Sequence, residues 1–375
     1  MNGDAVEVCA VGDVMVKGPD PGATFAWTRD VLRAADITFG NCEMTYSTRG
    51  VRHPMARAEM RADPRNLDVL RDAGFDVMSF ANNHHMDSGE EAFLDTLAGL
   101  HQRGIATCGA GADLADSRRP AILERDGTRV AFLGCSSILF PGYEATDDRP
   151  GCVPLRITTA YEQVELEQPG SPPRIRTTAS PGDLDHLLED VAAARERADV
   201  VIVAPHWCLH FTPVVVAEYE SAVARAVIDA GADLVLGHHQ HILKPIDVYE
   251  GKVIFHGLGN FAIGGGPAKI VSSPKLDEMM RQYPEYAPGY RPDYPAYPFH
   301  PQARHTMIAR CRIRRKRIDE VAFVPCSINP KGQPEALGTD DPRFDAVASY
   351  VDTITAAAGF HVEFQAREGE VGIST

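Results

Sequence analysis

A chain of 375 residues with 44% apolar content is long enough to bury a large core in one or two domains. Its formal charge of −15, from 37 Lys and Arg against 52 Asp and Glu, excludes broad electrostatic binding to nucleic acid or anionic membrane. The opening "MNGDAVEVCAVGD" lacks a basic leader and no stretch approaches the roughly 20 apolar residues of a membrane span, so a cytoplasmic location without a membrane partner is expected.

The first apolar run, "VEVCAVGD", reads as a strand ending near Asp13. After it a phrase recurs four times: a helical stretch closes in small residues and Asp, an apolar strand follows, and polar residues end it. The copies are "RAADITFGNCE", "RDAGFDVMSFANNHH", "RERADVVIVAPHW" and "IDAGADLVLGHHQH", successive helix-to-strand connections of an α/β fold. Leu67, Leu70 and Ala73 mark one helix; Phe93, Leu97 and Leu100 share a face of a second, after the acidic start "DSGEE". "RPAILERDGTRVAFLGC" is expected to be a hairpin through Asp126-Gly127, and residues 162–182 an exposed loop or hairpin. Val214 to Ala230 gives a third helix, stopped by Gly231. "PIDVYEGKVIFHGLGN" is a second hairpin through Glu250-Gly251, and "HTMIARCRIRRKRIDEVAFVPCSI" alternates as paired strands do. No sharp boundary divides residues 1–375, which are expected to form one domain with a Pro/Tyr-rich insertion at about 264–304, either a surface excursion or a lid. The eight cysteines are dispersed without a CxxC pair, several within apolar runs, and are expected to be buried thiols.

In open α/β sheets ligands bind beyond the carboxyl ends of strands, where each recurring phrase places polar residues. These are Asp13, Asn41 and Glu43, Asn82 to His84, His206, and His238, His239 and His241. Each alone has a structural explanation. Asp13 could cap a turn, Asn82-Asn83 could form one, His206 could pack beside Trp207, and "HHQH" could be a solvated loop. Occupation of five strand ends together favours one shared site. Carboxylate, amide and imidazole donors without thiolates suit Mn, Fe or Zn. Asp87, His85 and Asp233 are assigned to helix caps or strand starts.

The motifs "GDVM", "NCE", "ANNHHMDSG", "PHW" and "GHHQHILKPIDVYEGKVIFHGLGNF" resemble, in order and spacing, those of the CapA family, associated with bacterial poly-gamma-glutamate capsule synthesis. The resemblance implies kinship with calcineurin-like metallophosphoesterases: a four-layer α/β/β/α sandwich of two mixed sheets flanked by helices, with metals at strand ends. Carried over by position, it implies one or two divalent metals (Mn, Fe or Zn) held by Asp13, bridging Glu43, Asn83, His206, His239 and His241. His239 and His206 would serve one metal, His241 and Asp13 the other. His84 would be the outer-sphere acid or charge stabiliser. Asn41, Arg57, Cys208, His210, His238 and Asn260 are candidates for substrate contacts. Three positions depart from the pattern. Met15 stands where a second ligand follows the first aspartate, Glu43 where phosphoesterases use aspartate, and Cys208-Leu209-His210 where many members have Gly and then Glu.

The expected activity is metal-dependent hydrolysis of a small-molecule or short anionic substrate, through a phosphoester or a gamma-glutamyl-type amide. The acidic balance leaves the metals to supply most of the positive potential, with Arg49, Arg52, His53, Arg57 and Arg61 either adding to it or forming a solvated loop. Ligation is a second reading, without a GxxxxGK[ST] loop to offer an ATP site, and a metal-stabilised binding protein a third.

Overall fold

The computed structural model describes residues 5–56, 59–263, 278, 281, 292–297 and 299–375. Arg57 and most of the expected insertion at 264–304 lie outside the described residues.

The chain first lays down half of one sheet with β1 (Ala5–Met15), β2 (Ile37–Cys42), β5 (Val77–Ser79) and β6 (Ala106–Cys108), all parallel. Three small ladders stand apart: β3 (Thr45–Tyr46) with β4 (Arg61–Ala62), β7 (Ala110–Gly111) with β10 (Gly151–Cys152), and β11 (Ile157–Glu162) with β12 (Arg174–Ala179). A second sheet follows, from β8 (Ala121–Arg125), β9 (Thr128–Ser136), β13 (Val200–His206), β14 (Leu234–Leu236), β15 (Ile246–Tyr249) and β16 (Lys252–Phe255). Its order is β15-β16-β14-β13-β9-β8. The chain then returns to the first sheet with β17 (Asn260–Ile263), β18 (His305–Arg314), β19 (Arg317–Ile328), β20 (Pro334–Ala336), β21 (Phe364–Arg367) and β22 (Glu370–Ile373). That sheet runs β21-β22-β19-β18-β1-β2-β5-β6, with β17 on β1 and β20 on β19.

Strand alternation sorts the apolar side chains into three layers. Val6, Val8, Ala10 and Phe39 face Phe132, Ile202, Ala204 and Leu236 between the sheets, where Phe39 and Phe132 stack 5.4 Å apart. On the outer face of the first sheet, Cys9, Val11 and Met78 meet Leu32 of α1 (Arg29–Ala34), Leu67 and Leu70 of α2 (Leu67–Ala73), and Phe93 and Leu97 of α3 (Gly89–Gln102). Beyond the short α4 (Leu114–Ser117), α5 (Pro181–Arg195) and α6 (Glu218–Asp229) cover the second sheet, with Leu187, Val191, Val223 and Val227 on Ala131, Leu133, Val201 and Val203. This is the expected α/β/β/α sandwich. α7 (Pro342–Ala357) adds Phe344, Val347, Val351 and Ile354 to the layer between the sheets. All eight cysteines are buried thiols. Among the described residues no helix is long and apolar enough to cross a membrane.

Both expected hairpins form, with positive φ at Asp126 and Gly127 (48° and 72°) and at Glu250 and Gly251 (50° and 69°), as two-residue I′ turns require. Arg315 and Lys316 make a like turn without glycine, at 52° and 64°. Residues 162–182 include β12 of the exposed β11–β12 hairpin.

The third helix starts at Glu218, four residues later than expected from Val214. The β-branched run before it is held as a loop, because buried Lys244 donates to the carbonyls of Thr212 (2.6 Å) and Val215. Glu220 then receives the Ala217 N–H at 2.5 Å, half of a capping box. Burial pushes the Glu220 carboxyl from 4.5 up to about 7, with Lys244 opposing the rise. The folded protein thus keeps a proton that the unfolded chain releases above pH 4.5. The resulting stabilisation is complete below that pH and is lost as pH climbs to about 7, a change of about 3 kcal/mol. Glu220→Gln is expected to remove this loss, so the variant gains on the native chain between pH 4.5 and pH 8 in urea unfolding. Equal pH dependence in both chains would contradict it.

Candidate metal centre

The site begins at a break in register. β1 pairs with β18 through Val11 and then with β17 from Asp13, with shifts beside Asp13 on both of its neighbours. Such irregularities re-aim a side chain, and here they set Asn260, Asp13 and Asn41 abreast on β17, β1 and β2. Gly12 makes this possible, since a Cβ there would lie 1.9 Å from the Gly259 carbonyl oxygen. Gly12→Ala is expected to push β17 away and cost about 3 kcal/mol, the upper end of ordinary overpacking, readable as a fall in Tm. An unchanged Tm would show that the junction is slack.

Glu43 follows β2, Asn83 and His84 follow β5, and His206 ends β13. His238 bridges to His206, after which the loop turns twice: His239 and His241 have φ of 99° and 56°. Left-handed backbone at two non-glycine residues is strain of the kind found at functional sites, and it brings both rings to the same cleft.

Two donor groups result, with the ligand atoms of each within 4.8 Å of one another: Glu43, His206 and His239, and Asp13, Glu43 and His241. Asn83 Oδ1 joins the first, 2.8 Å from His206 Nε2 and 3.1 Å from His239 Nδ1. In the second, His241 Nδ1 is 3.3 Å from Asp13 Oδ2 and its Nε2 3.8 Å from Glu43 Oε1. Glu43 is common to both groups. Asp13 and Glu43 are wholly buried, yet Asp13 Oδ2 and both Glu43 oxygens accept no hydrogen bond. Orphaned carboxylate oxygens inside a protein are costly unless a cation meets them, so the donors fit one or two divalent metals.

The electrostatics agree. Burial, with repulsion from Asp13 and Asp87, holds Glu43 well above the ordinary carboxylate range. Burial also acts to raise Asp13, but the close approach of His241, with His206 and His238, outweighs it and keeps that carboxyl low. Burial first, and neighbouring imidazoles second, press His206 and His239 well below the usual histidine range. Neutral rings leave lone pairs for a metal.

Several expected substrate contacts are placed otherwise. Asn41 is wholly buried and donates to Asp13 Oδ1 at 2.8 Å, itself held by Asn82 Nδ2 at 3.2 Å. Asn260 is also wholly buried, its Oδ1 2.7 Å from His241 Nδ1 and its amide donating to the Tyr297 hydroxyl at 2.6 Å. Asn41 thus orients Asp13, and Asn260 orients His241. His238 sits between the sheets, with Nε2 3.3 Å from the Val11 carbonyl and its ring beside Phe39. Cys208 packs in the outer cluster with its N–H on the Tyr219 hydroxyl, and its φ of 77° explains the glycine of the resembled pattern. Met15 lies in the cluster beneath the helices. His210 is at the cleft, its ring 4.0 Å from that of His239 and 5.1 Å from that of His241.

His84 stands at the edge, its side chain 15% exposed, with Nδ1 2.7 Å from Asp87 Oδ2. Tyr143 donates to the other Asp87 oxygen at 2.9 Å. The assignment of Asp87 to a helix cap is therefore corrected: it backs His84, and the clue was the three-residue spacing in "HHMD". His85 and Asp233 are structural as expected, one ring between the carbonyls of Asn82 and Tyr143, one carboxylate on Val201 N–H and Arg195. Of the arginine-rich loop, Arg49 pairs with Asp95 and Glu91, and Arg61 with Glu59. His53 donates its N–H to the Asp87 carbonyl at 2.8 Å and sets its ring against Tyr143.

Comparison with known proteins agrees with the motifs. The chain is 29% identical over 294 residues to the PGA biosynthesis protein CapA of Bacillus subtilis (strain 168), covering 74% of this chain and 69% of that protein. It is 28% identical to the capsule biosynthesis protein CapA of Bacillus anthracis, covering 67% and 56%, and 32% identical to the uncharacterized protein y4sH of Sinorhizobium fredii, covering 69% and 66%. It thus spans between about half and two thirds of these relatives' lengths. Among solved structures, a hypothetical protein from Thermus thermophilus matches 85% of this chain and 98% of its own at 18% identity, with a TM-score of 0.43. The model of the family described as bacterial capsule synthesis protein PGA_cap matches residues 7–264, most of the chain, and the protein belongs to that family.

Proposed function

We propose that the protein is a metal-dependent hydrolase acting on a phosphoester or a gamma-glutamyl-type amide. One observation carries this reading: Glu43 is common to two buried donor groups and has no hydrogen-bond partner on either oxygen. Divalent metals held there would acidify water and polarise the scissile bond. Asn83, Glu43, His206 and His239 would hold one, and Asp13, Glu43 and His241 the other. The second set has fewer donors, because Met15 points into the core. Unequal affinities are therefore expected, one equivalent being retained through dialysis and the second only in excess metal.

The chain's own groups do the rest. Asn41 and Asn82 fix Asp13, and Asn260 fixes His241. Asp87 takes the Nδ1 proton of His84, so Nε2 is the atom left to pass a proton to a leaving group. The amide alternative comes from the Bacillus relatives, one named a PGA biosynthesis protein and the other a capsule biosynthesis protein.

Elemental analysis of the purified chain, followed by turnover of bis(p-nitrophenyl) phosphate and gamma-glutamyl-p-nitroanilide with added Mn, Fe or Zn, tests the reading. Bound metal with metal-dependent release of p-nitrophenol or p-nitroaniline is expected. Failure to bind any of the three metals would overturn it, and nucleotide consumption coupled to an amine acceptor would replace it with ligation.

A further inference from the structure

The described edge of the cleft is polar on one side and aromatic on the other. Beyond the His210 ring, His241 faces Phe211 at 6.0 Å and Phe299 at 5.8 Å, with Phe211 and Phe299 6.1 Å apart. Phe299 is anchored. Its ring lies 4.7 Å from that of buried Tyr297, whose hydroxyl receives Asn260 Nδ2 and donates to the Ala303 carbonyl at 2.7 Å. Asn260 in turn touches His241, so the position of Phe299 is tied to a ligand of the second donor group.

Exposure shows how a substrate would arrive. Asp13 and Glu43 are sealed and His206 is 1% exposed, whereas His241 and His84 keep a little exposure and His210 and Phe299 are half-buried. An approach to the donor atoms from solvent therefore passes His84 on one side and the aromatic rings on the other. A site that handled only a small inorganic anion would have no use for aromatic faces there, because hydrating them is unfavourable until something flat covers them. These rings pack on one another at about 5 to 6 Å, so a further ring would meet only the outer faces that Phe299 and His210 keep half-buried.

Building on the hydrolase reading, we propose that Phe299 and His210, backed by the buried ring of Phe211, form a specificity rim that packs against a planar aromatic group borne beside the anionic group of the substrate. The rim selects aryl-bearing anions over small aliphatic ones, while the metal-holding residues take the anion in either case.

Binding can be measured without turnover, by calorimetry on the metal-loaded full chain with phenylphosphonate and methylphosphonate as probes. The native chain is expected to prefer the phenyl compound about tenfold, the scale of one stacking contact plus its buried area. Phe299→Ala is expected to bring that preference below about threefold while leaving methylphosphonate affinity unchanged, and Phe299→Leu to fall between. Because Phe299 is half-buried, folding of both variants is verified by an unchanged melting transition. Equal affinity of the native chain for the two phosphonates, or an equal loss for both in Phe299→Ala, would overturn the rim alone. Binding of neither phosphonate would overturn the phosphoester form of the hydrolase reading, and the rim with it.

Discussion

Glu43→Gln is expected to change stability in opposite directions with and without metal. In the metal-free chain the native carboxyl is wholly buried, accepts no hydrogen bond, and lies close enough to Asp13 and Asp87 for both to raise its pKa. A neutral amide of the same shape removes that repulsion, so the metal-free variant should be more stable at neutral pH by about 1–3 kcal/mol. With metal the order reverses. A ligand that binds only the folded state adds about 4.1 kcal/mol at a thousand times its Kd, and the native chain gains this while the variant loses most of it. Because Glu43 belongs to both donor groups, both equivalents should fall together, whereas Asp13→Asn should spare the group of Asn83, His206 and His239. Melting curves with chelator and with excess Mn or Zn, beside elemental analysis, give the four stabilities required. A metal-free variant less stable than its parent, or one still holding two equivalents, would show that Glu43 has another partner.

The distinction between a member of the two donor groups and a residue that supports one is where sequence reasoning reached its limit. Asp13, Glu43, Asn83, His206, His239 and His241 were legible because each follows or ends an apolar strand, and strand ends of an α/β sheet converge. Asn41 and Asn260 occupy the same kind of position, yet they serve Asp13 and His241. Their role follows from pairing: β17 takes over from β18 along one edge of β1, joining residues far apart in the chain, and no local spacing encodes that exchange. His238 shows the opposite error. Its neighbours His239 and His241 face the cleft because the backbone enters the left-handed region at both, and histidine carries no mark of that conformation. Asp87 precedes an acidic helix start and so resembles a cap; only the fold reveals that Nδ1 of His84 and the Tyr143 hydroxyl converge on it. The layers were easier, since alternation within strands and four-residue spacing in helices directly encode which faces are buried.

His84→Ala is expected to lower turnover by about 10²–10⁴-fold with metal content unchanged, the range for loss of a positioned acid or base. The metal content should hold because His84 belongs to neither donor group. Its partners allow a sharper test than the single truncation. Asp87 Oδ2 lies 2.7 Å from Nδ1 and receives its proton, which fixes the tautomer and leaves Nε2 unprotonated on the far side of the ring. Asp87→Asn keeps an oxygen that can accept the same hydrogen bond but removes the charge, so a loss of about tenfold is expected from it. Tyr143→Phe removes only the 2.9 Å donor to the far oxygen of Asp87 and should cost less still. If the three act through one proton, their effects will not add. The double variant His84→Ala, Asp87→Asn should then turn over no more slowly than His84→Ala alone. A multiplicative loss in the double variant would place Asp87 in a separate task, such as holding the loop through Met60, whose N–H its carboxylate receives. Full retention of rate in His84→Ala would remove this residue from the chemistry altogether and leave the metal-holding groups to act alone.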